Sequence, residues 1–246
     1  LGSEALTGQL LNSNDKDYYK INVTGTGKIN ITFDPTISSN YDYFYISIQD
    51  SSGQILSRVA TGTDVTFSAY VENAGDYYVM VEDTNRYDSD SYTLDYSFSS
   101  GTAAYEVERN QTRDTATPIS LNNFYTGQIY VSNESDYFSF TIDQPGSIDL
   151  TFDPTISSNY DYFTITIRDS DGSILSQSQA GNNSTLSATA KSSGTYYVQI
   201  QATSRWSDDP YQLKVTAAVG KDIQYSLSSD VTNVSEGNSV TFTVNA

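Results

Sequence analysis

The chain repeats itself with one long period that contains no gap. The segment FDPTISSNYDYF at 33–44 recurs letter for letter at 152–163, which is 119 residues later. Isolated glycines and tyrosines keep the same offset, as in Gly8 and Gly127 or Tyr92 and Tyr211. Solenoid repeats have periods of about 20 to 50 residues, so a period of this length corresponds to a whole domain. The chain is therefore a tandem duplication of one module. This arrangement is usual in stalks and binding arrays and unusual in a one-site enzyme.

Hydrophobic alternation predicts that each module is made of strands. Apolar and polar residues alternate in INITF at 29–33, in FYISI at 44–48 and in several similar runs. A period of two places one face of a strand on a core and the other in water. Turn-forming segments separate the runs, and we find no helical periodicity. We predict an all-β fold of two tandem antiparallel β-sandwich, jelly-roll-like domains with about eight short strands each.

The pattern also predicts where the modules begin and end. The predicted division is a first sandwich at 1–98, a linker and possible calcium segment at 99–116, a second sandwich at 117–220, and the start of a further β module at 221–246. The last segment is long enough for a hairpin, which alone is marginal in water. We therefore expect it to pair with a sandwich edge or with the tail of a neighbouring molecule. The predicted inward-facing residues are Ile29, Ile31, Phe33, Ile46 and Ile48, and Ile148, Leu150, Phe152, Ile165 and Ile167.

Net charge and missing residue types exclude several functions. The formal net charge is −18, whereas nucleic-acid binding needs a basic face. The charge also disfavours anionic lipid, and no apolar run is long enough for membrane insertion. The chain has no His and no Cys, which excludes Ser-His-Asp and Cys-His catalysis and zinc sites that use His. A glycosidase-type carboxylate pair survives on composition, but acidic residues are too abundant for one pair to stand out. We expect that the chain is not an enzyme.

The acidic composition has two interpretations. One is solubility, and the other is binding of a divalent cation, because hard cations take oxygen ligands from Asp, Glu, Asn and carbonyl groups. The absence of Cys, with many Asn, Thr, Ser and Tyr residues, indicates a secreted or surface bacterial protein. The sequence has no signal-peptide pattern, and we expect it to be a monomeric piece of a larger polypeptide.

Two pairs of duplicated loops are candidate ligand-binding surfaces. The first pair contains Tyr41, Asp42 and Tyr43, with Tyr160, Asp161 and Tyr162 in the second copy. These residues form either a polar-aromatic ligand surface or a turn whose Asn and Asp make local hydrogen bonds. The second pair places an arginine beside a large aromatic residue, in Arg86-Tyr87 and Arg205-Trp206. Such loops suit sugar stacking or peptide contacts, and the alternative is an arginine stacked on the aromatic ring with an Asp partner.

Each copy carries short motifs in the same order. The second copy has Glu106-Val107-Glu108-Arg109-Asn110, Ser135-Asp136-Tyr137-Phe138, Pro145-Gly146, Asp169-Ser170-Asp171-Gly172, Gly194-Thr195-Tyr196-Tyr197-Val198 and Tyr211-Gln212-Leu213. The first has Asp15-Lys16-Asp17-Tyr18-Tyr19, Ser52-Gly53, Gly75-Asp76-Tyr77-Tyr78-Val79 and Tyr92-Thr93-Leu94. This ordered set resembles the bacterial pre-peptidase C-terminal domain family. The resemblance implies non-catalytic β-sandwiches attached to secreted enzymes and surface proteins. The tail at 225–242 resembles the opening of a Calx-β or Ig-like adhesin repeat.

The resemblance also implies a calcium site. In the related domains of clostridial collagenases, which bind collagen, calcium sits where the N-terminal linker meets the first strands. The linker pattern of those domains maps onto Glu106, Glu108, Asn110 and Gln111, and Gln111 departs from the usual Asp or Asn. The acidic group of the strand turn maps onto Asn133, Glu134 and Asp136. In the first copy only Asn14, Asp15 and Asp17 remain, so a site there would lack its linker half.

These observations lead to one favoured function and two alternatives. We expect a non-catalytic ligand-binding or spacer region of a large secreted or cell-surface bacterial protein, adhesin-like and stabilised by Ca²⁺. Its partner would be an extracellular glycan or protein. The first alternative is a set of accessory carbohydrate- or protein-binding modules of a secreted hydrolase. The second is a purely architectural role without a ligand.

Overall fold

The computed structural model describes residues 5–101 and 104–220, together with the backbone of two short strands at 226–229 and 242–245. Within these residues no helix is long and apolar enough to cross a membrane.

The first module is a sandwich of two four-stranded antiparallel sheets. One sheet has the order β1-β8-β3-β6, and the other has the order β2-β7-β4-β5. Eight strands in two such sheets make a jelly roll, in which successive strands alternate between the layers except for β4 and β5, which pair within one sheet. The strands are β1 Leu6–Gln9, β2 Lys16–Val23, β3 Gly27–Pro35, β4 Phe44–Gln49, β5 Ile55–Thr61, β6 Val65–Val71, β7 Gly75–Asp83 and β8 Ser91–Ser100.

The second module repeats this topology. Its sheets have the orders β10-β17-β12-β15 and β14-β13-β16-β11-β9, and the short extra strand β9 runs parallel to β11. The predicted all-β fold of antiparallel sandwiches is confirmed. The strands are β9 Thr117–Pro118, β10 Phe124–Gly127, β11 Ser135–Ile142, β12 Gly146–Pro154, β13 Phe163–Arg168, β14 Ile174–Ala180, β15 Ser184–Ala190, β16 Gly194–Ala202 and β17 Tyr211–Val219, and a 3₁₀ turn at Arg113–Thr115 precedes them.

Each module has its own core, centred on three aromatic rings. Phe33 packs against Phe44 and Tyr92 with ring centroids 5.2 and 5.0 Å away. The equivalent ring Phe152 packs against Phe163 and Tyr211 at 5.2 and 5.3 Å. All ten residues predicted to face inward are at most 1% exposed. The repeated segment therefore begins and ends in the core, and this gives its two phenylalanines a structural role in both copies.

Polar contacts join the two modules at the edge strand β5. The Gln128 side chain accepts a hydrogen bond from Ser57 Oγ at 2.6 Å and donates to the Arg58 carbonyl at 3.1 Å. The Ala60 amide donates to Asp208 Oδ2 at 2.9 Å. The linker contributes Tyr105, which stacks on Tyr70 with centroids 6.5 Å apart and planes 10° apart. The unpaired edge of the first module is thus covered by side chains of the second.

The tail contains a hairpin. The strands β18 Ser226–Ser229 and β19 Phe242–Asn245 pair antiparallel with each other as a separate two-stranded sheet. The predicted hairpin is present in the described backbone, but its two strands form a separate sheet, and no described sandwich strand pairs with either of them. Pairing with a neighbouring molecule stays a prediction. The rest of the tail, at 221–225, 230–241 and 246, lies outside the described residues.

Candidate metal centre

The linker brings acidic side chains to the second module because both of its ends are tied down. At one end the Glu106 backbone amide donates to the Thr126 carbonyl of β10 at 2.8 Å. At the other end the Tyr137 amide of β11 donates to the Asn110 carbonyl at 2.8 Å. The Glu108–Arg109 peptide bond between these anchors is cis. Because β10 and β11 belong to different sheets of the second module, the segment from Glu106 to Asn110 spans the gap between those sheets.

Three carboxylates converge at this gap. Glu106, Glu108 and Asp136 each offer an oxygen, and these oxygens lie within 4.8 Å of one another. Glu106 is 8% exposed, and Asp136 and the nearby Asn110 are completely buried. Buried carboxylates normally need a partner of opposite charge or a metal ion. Of the predicted metal ligands, the structure thus brings these four together.

One oxygen of each carboxylate already has a protein donor. Glu106 Oε1 accepts a hydrogen bond from the Gln128 backbone amide at 2.6 Å, and Glu108 Oε2 accepts one from the Gln111 side-chain amide at 3.1 Å. Asp136 Oδ2 accepts the Tyr211 hydroxyl at 2.5 Å. These bonds orient the three carboxylates, and Glu106 Oε2 also accepts the Asn110 side-chain amide at 3.3 Å.

Three buried oxygens lack a donor in the described part of the chain. They are Glu108 Oε1, Asn110 Oδ1 and Asp136 Oδ1. A buried acceptor without a donor costs about 1–3 kcal/mol, and more when it is charged. Carboxylate and amide oxygens are the ligands that Ca²⁺ prefers, at 2.3–2.6 Å, whereas structural zinc sites take sulfur and nitrogen. The arrangement therefore fits a hard divalent cation.

The electrostatics of the cluster lead to the same conclusion. Burial, with the charges of Asp136 and Glu108 added to it, raises the pKa of Glu106 well above its ordinary value of 4.5. Burial and the neighbouring carboxylates also raise the pKa of Glu108 and of Asp136. Like charges that are removed from water favour protonation unless a cation compensates them. The cluster thus takes up either protons or a cation.

A second group of residues supports the cluster without joining it. Glu134 Oε2 accepts the Tyr130 amide at 2.8 Å, and burial raises the pKa of Glu134. The Gln111 side chain donates to both Glu134 Oε1 and Glu108 Oε2, at 3.2 and 3.1 Å. Gln111 therefore acts as a donor that positions two carboxylates, where the resemblance implied a ligand. Asn133, also a predicted ligand, is exposed in the turn before β11 and lies outside the group of converging carboxylates.

A glycine makes room for the cluster. A Cβ atom at Gly127 would lie 2.8 Å from Glu106 Oε2 and would overlap the Tyr211 hydroxyl. Because any side chain would displace Glu106 or Tyr211, only glycine fits at this position. Its counterpart Gly8 allows the same close approach, but there the neighbouring groups are the hydroxyls of Tyr19 and Tyr92.

The first module fills the equivalent place with a tyrosine. Tyr19 stands where the second module has Phe138, and its hydroxyl lies 2.9 Å from the Tyr92 hydroxyl. Tyr92 in turn donates to Asp17, the counterpart of Asp136. In the first module, the Tyr19 hydroxyl therefore lies beside Gly8. In the second module, the Glu106 carboxylate has the equivalent position beside Gly127. The sequence shows this difference as Tyr19 in the first copy and Phe138 in the second. Sequence reasoning did not recognise that this exchange distinguishes the two sites.

The duplicated loops form two equivalent arginine–tyrosine stacks. The Arg86 guanidinium lies 4.4 Å from the Tyr41 ring centroid, and Arg205 lies 4.2 Å from that of Tyr160. Both tyrosines are 60% exposed. Each arginine therefore stacks on the tyrosine of the first candidate loop in its own module. The alternative drawn from the sequence had placed each arginine on the aromatic residue beside it in the chain.

The remaining predicted ligand-binding residues have varied surroundings. Tyr43 and Tyr162 pack against the two cores. The carbonyl groups of Asp42 and Asp161 accept the hydroxyls of Thr84 and Thr203 at 2.9 and 2.8 Å. The Tyr87 hydroxyl donates to the Leu10 carbonyl at 3.1 Å, and Trp206 is 37% exposed. Eight of the ten candidates are exposed, namely Tyr41, Asp42, Arg86, Tyr87, Tyr160, Asp161, Arg205 and Trp206.

Comparison with known proteins identifies a family signature in the second module. Residues 134–202 match the model of the bacterial pre-peptidase C-terminal domain. The linker residues of the carboxylate cluster lie upstream of this segment. The first module lies outside the match, so its kinship with the second rests on the 119-residue repeat and the shared strand order.

Solved structures of other β-rich proteins show only a distant likeness. The CUB1-EGF-CUB2 domain of human MASP-1/3 is 12% identical, with a TM-score of 0.29 over 87% of this chain and 99% of that one. The tandem CBM22-1-CBM22-2 domain of Paenibacillus barcinonensis Xyn10C is 9% identical, with a TM-score of 0.27 over 89% and 88%. The exported protein XepA is 11% identical, with a TM-score of 0.27 over 87% and 86%. Scores this low assign no activity to this chain.

Proposed function

We propose that the chain is a non-catalytic, extracellular binding or spacer region in which Ca²⁺ stabilises the second module. Glu106, Glu108, Asn110 and Asp136 would hold the ion. The observation that carries this proposal is the set of three buried oxygens without a donor, which belong to three of these four residues. The ion would supply positive charge where the protein concentrates negative charge.

The origin of the four ligands defines what the ion would do. Glu106, Glu108 and Asn110 come from the linker, whereas Asp136 comes from β11. An ion held by all four would tie the linker to the sandwich and remove the repulsion between their carboxylates. A ligand at 100 times its dissociation constant stabilises the folded state by about 2.7 kcal/mol. Extracellular modules bind calcium with dissociation constants of about 10⁻⁴–10⁻³ M, so a site of this kind suits a secreted or cell-surface protein.

The family match supports the non-catalytic part of the proposal, because the family is named for a domain that accompanies peptidases. The absence of His and Cys from the whole sequence agrees with it. The two arginine–tyrosine stacks support a binding role, since the same exposed pair occurs in both copies. A groove of about 390 Å³ adjoins the second stack and is lined by Asn159, Tyr160, Asp161, Gln179, Thr203, Ser204 and Arg205. A glycan or a peptide is the class of ligand that such a surface suits.

Two experiments test the proposal. Isothermal titration calorimetry and thermal unfolding of the whole fragment, in millimolar calcium and in chelator, test the metal site. We expect one calcium site and a higher melting temperature for the second module alone. A matched control is Asp143→Asn, which removes an exposed carboxylate outside the cluster and should leave calcium binding unchanged. An unchanged melting temperature with calcium and with chelator would remove the metal claim.

Glycan and peptide arrays, probed with and without calcium, test the binding role. A signal that falls in Arg205→Ala would place the ligand on the arginine–tyrosine stack. No signal on either array would leave the spacer role. The sequence flanking this chain in the full protein would distinguish an adhesin from an accessory region of a secreted hydrolase.

A further inference from the structure

A cavity of about 430 Å³ lies between the two modules. It is lined by β5 and β6 of the first module, and by the linker, the β10 end and residues 208–212 of the second. Its volume is within the range of about 300–1,000 Å³ that is usual for small-molecule and side-chain pockets. We call it the inter-module cavity.

The first module gives the inter-module cavity an apolar wall. This wall contains Leu56, Val59, Val65, Phe67 and Ala69, all from the adjacent edge strands β5 and β6. Apolar surface of this kind favours contact with hydrocarbon over contact with water, by about 25 cal/mol for each Å² that is covered.

The second module gives the inter-module cavity an acidic wall. Asp208, Asp209, Glu106 and Glu108 all line it, and none of the described residues that line it is a lysine or an arginine. Asp208 uses Oδ2 to accept the Ala60 amide, and burial raises its pKa. Asp209 is exposed, and among the described contacts its carboxylate accepts only the nearby Ser207 hydroxyl, at 2.7 Å. Among the described residues, the cavity therefore combines hydrocarbon on one side with carboxyl groups and no basic side chain on the other.

We propose that the inter-module cavity binds a basic side chain, lysine or arginine, of a partner polypeptide. Both side chains carry a cation at the end of a hydrocarbon stem, and such stems pack along apolar surface while the charged end stays with polar groups. The stem would lie against Leu56, Val59 and Val65, and the cation would face Asp208 and Asp209. The net charge of −18 would attract a basic partner before contact.

The proposed binding does not depend on the calcium site. If calcium occupies the cluster, Glu106 and Glu108 are engaged, and Asp208 and Asp209 remain to meet the basic side chain. Without calcium, Glu106 and Glu108 take up protons within their own cluster, and Asp208 and Asp209 again remain to meet the basic side chain. Failure of the calcium proposal would therefore leave binding intact, and failure of this proposal would leave the calcium response intact.

A pair of matched probes tests the proposal. Nα-acetyl-lysine methylamide and its neutral counterpart Nα-acetyl-norleucine methylamide are titrated into the whole fragment with labelled Leu, Val and Ile methyl groups, in saturating calcium. We expect the lysine compound to shift the methyl resonances of Leu56, Val59 and Val65. We expect it to bind about tenfold more tightly than the norleucine compound, because a hydrogen bond to a charged group stabilises more than a neutral contact.

Variants and salt make the result decisive. Asp209→Asn should weaken binding of the lysine compound severalfold, and Asp143→Asn should not. An increase in salt from about 50 to about 500 mM should weaken it further, since screening reduces attraction between exposed charges. Equal binding of the two compounds, shifts confined to other methyl groups, or indifference to Asp209→Asn would each overturn the proposal.

Discussion

Replacing Glu108 by Gln should have opposite effects on stability in chelator and in calcium. The substitution keeps the shape of the side chain and removes one of three carboxylates whose oxygens lie within 4.8 Å. The glutamine can keep an oxygen toward Gln111, which now donates to Glu108 Oε2 at 3.1 Å. Its NH₂ group then takes the place of Oε1 and can donate to a neighbouring carboxylate.

The size of the effect follows from the separation of the charges. Two unit charges 4.8 Å apart repel by about 3.5 kcal/mol at an effective dielectric constant of about 20. The raised pKa values of the cluster indicate that protons already relieve part of this repulsion in chelator. We therefore expect a gain of about 1 kcal/mol, which would raise the melting temperature of a module of this size by about 4–8 °C. In calcium the variant should lose most of the stabilisation of about 2.7 kcal/mol that an ion at 100 times its dissociation constant supplies.

Differential scanning calorimetry of the whole fragment measures both effects. In chelator the transition of the second module should be higher in Glu108→Gln than in the natural sequence. In saturating calcium the order should reverse, and the transition of the first module should not move in either condition. Asp143→Asn controls for the loss of one negative charge. An equal response to calcium in the variant and the natural sequence would refute a calcium site at this cluster.

Three further predictions follow from the same structure. In chelator, the free energy of unfolding of the second module should fall as pH rises from the ordinary carboxyl value of 4.5 toward neutrality. The reason is that acids with a raised pKa bind more protons in the folded state than in the unfolded state. Urea unfolding at several pH values would show this fall, and calcium should make the free energy of unfolding less dependent on pH. Phe138→Tyr should place a hydroxyl where the first module has that of Tyr19 and abolish the calcium response in calorimetry, without unfolding the sandwich; undiminished calcium affinity would contradict this equivalence. Phe152→Ala should destabilise the second module by about 3–5 kcal/mol in urea unfolding, since the ring is 1% exposed; a loss near zero would contradict its place in the core.

The sequence was most informative where a periodic pattern reports burial. Alternation identified Ile29, Phe33 and their eight companions as core, and all ten are buried, because every second residue of a strand must face the same side. The same pattern predicted the fold class, and the 119-residue repeat predicted the repeated architecture. Alternation does not report where a strand ends, because strand ends depend on hydrogen bonds; β8 continues to Ser100.

The candidate sites were less accessible to sequence reasoning. The resemblance led to Glu106, Glu108, Asn110 and Asp136, which the structure brings together, but calcium binding itself stays a prediction. Gln111 donates hydrogen bonds, a role that depends on where neighbouring carboxylates point.

The contacts between the modules were missed entirely. No pattern in the sequence marks Gln128 or Asp208 as a contact residue, and their partners Ser57 and Ala60 are more than 70 residues away in the chain. Only the relative placement of the two sandwiches reveals them.

The two modules differ in their edge strands, because the second module covers β5 of the first. The equivalent edge strand of the second module, β14, lies more open: Ile174 is 52% exposed, and Ser176 is more exposed than its counterpart Ser57. An open edge strand offers unpaired amide and carbonyl groups to any other chain, which promotes aggregation. A fragment cut after residue 101 would uncover β5 and acquire an adhesive edge that the tandem conceals. A fragment that contains only the first sandwich should therefore carry a charged substitution on β5, such as Ala60→Lys, to remain monomeric at the concentrations that structural work requires.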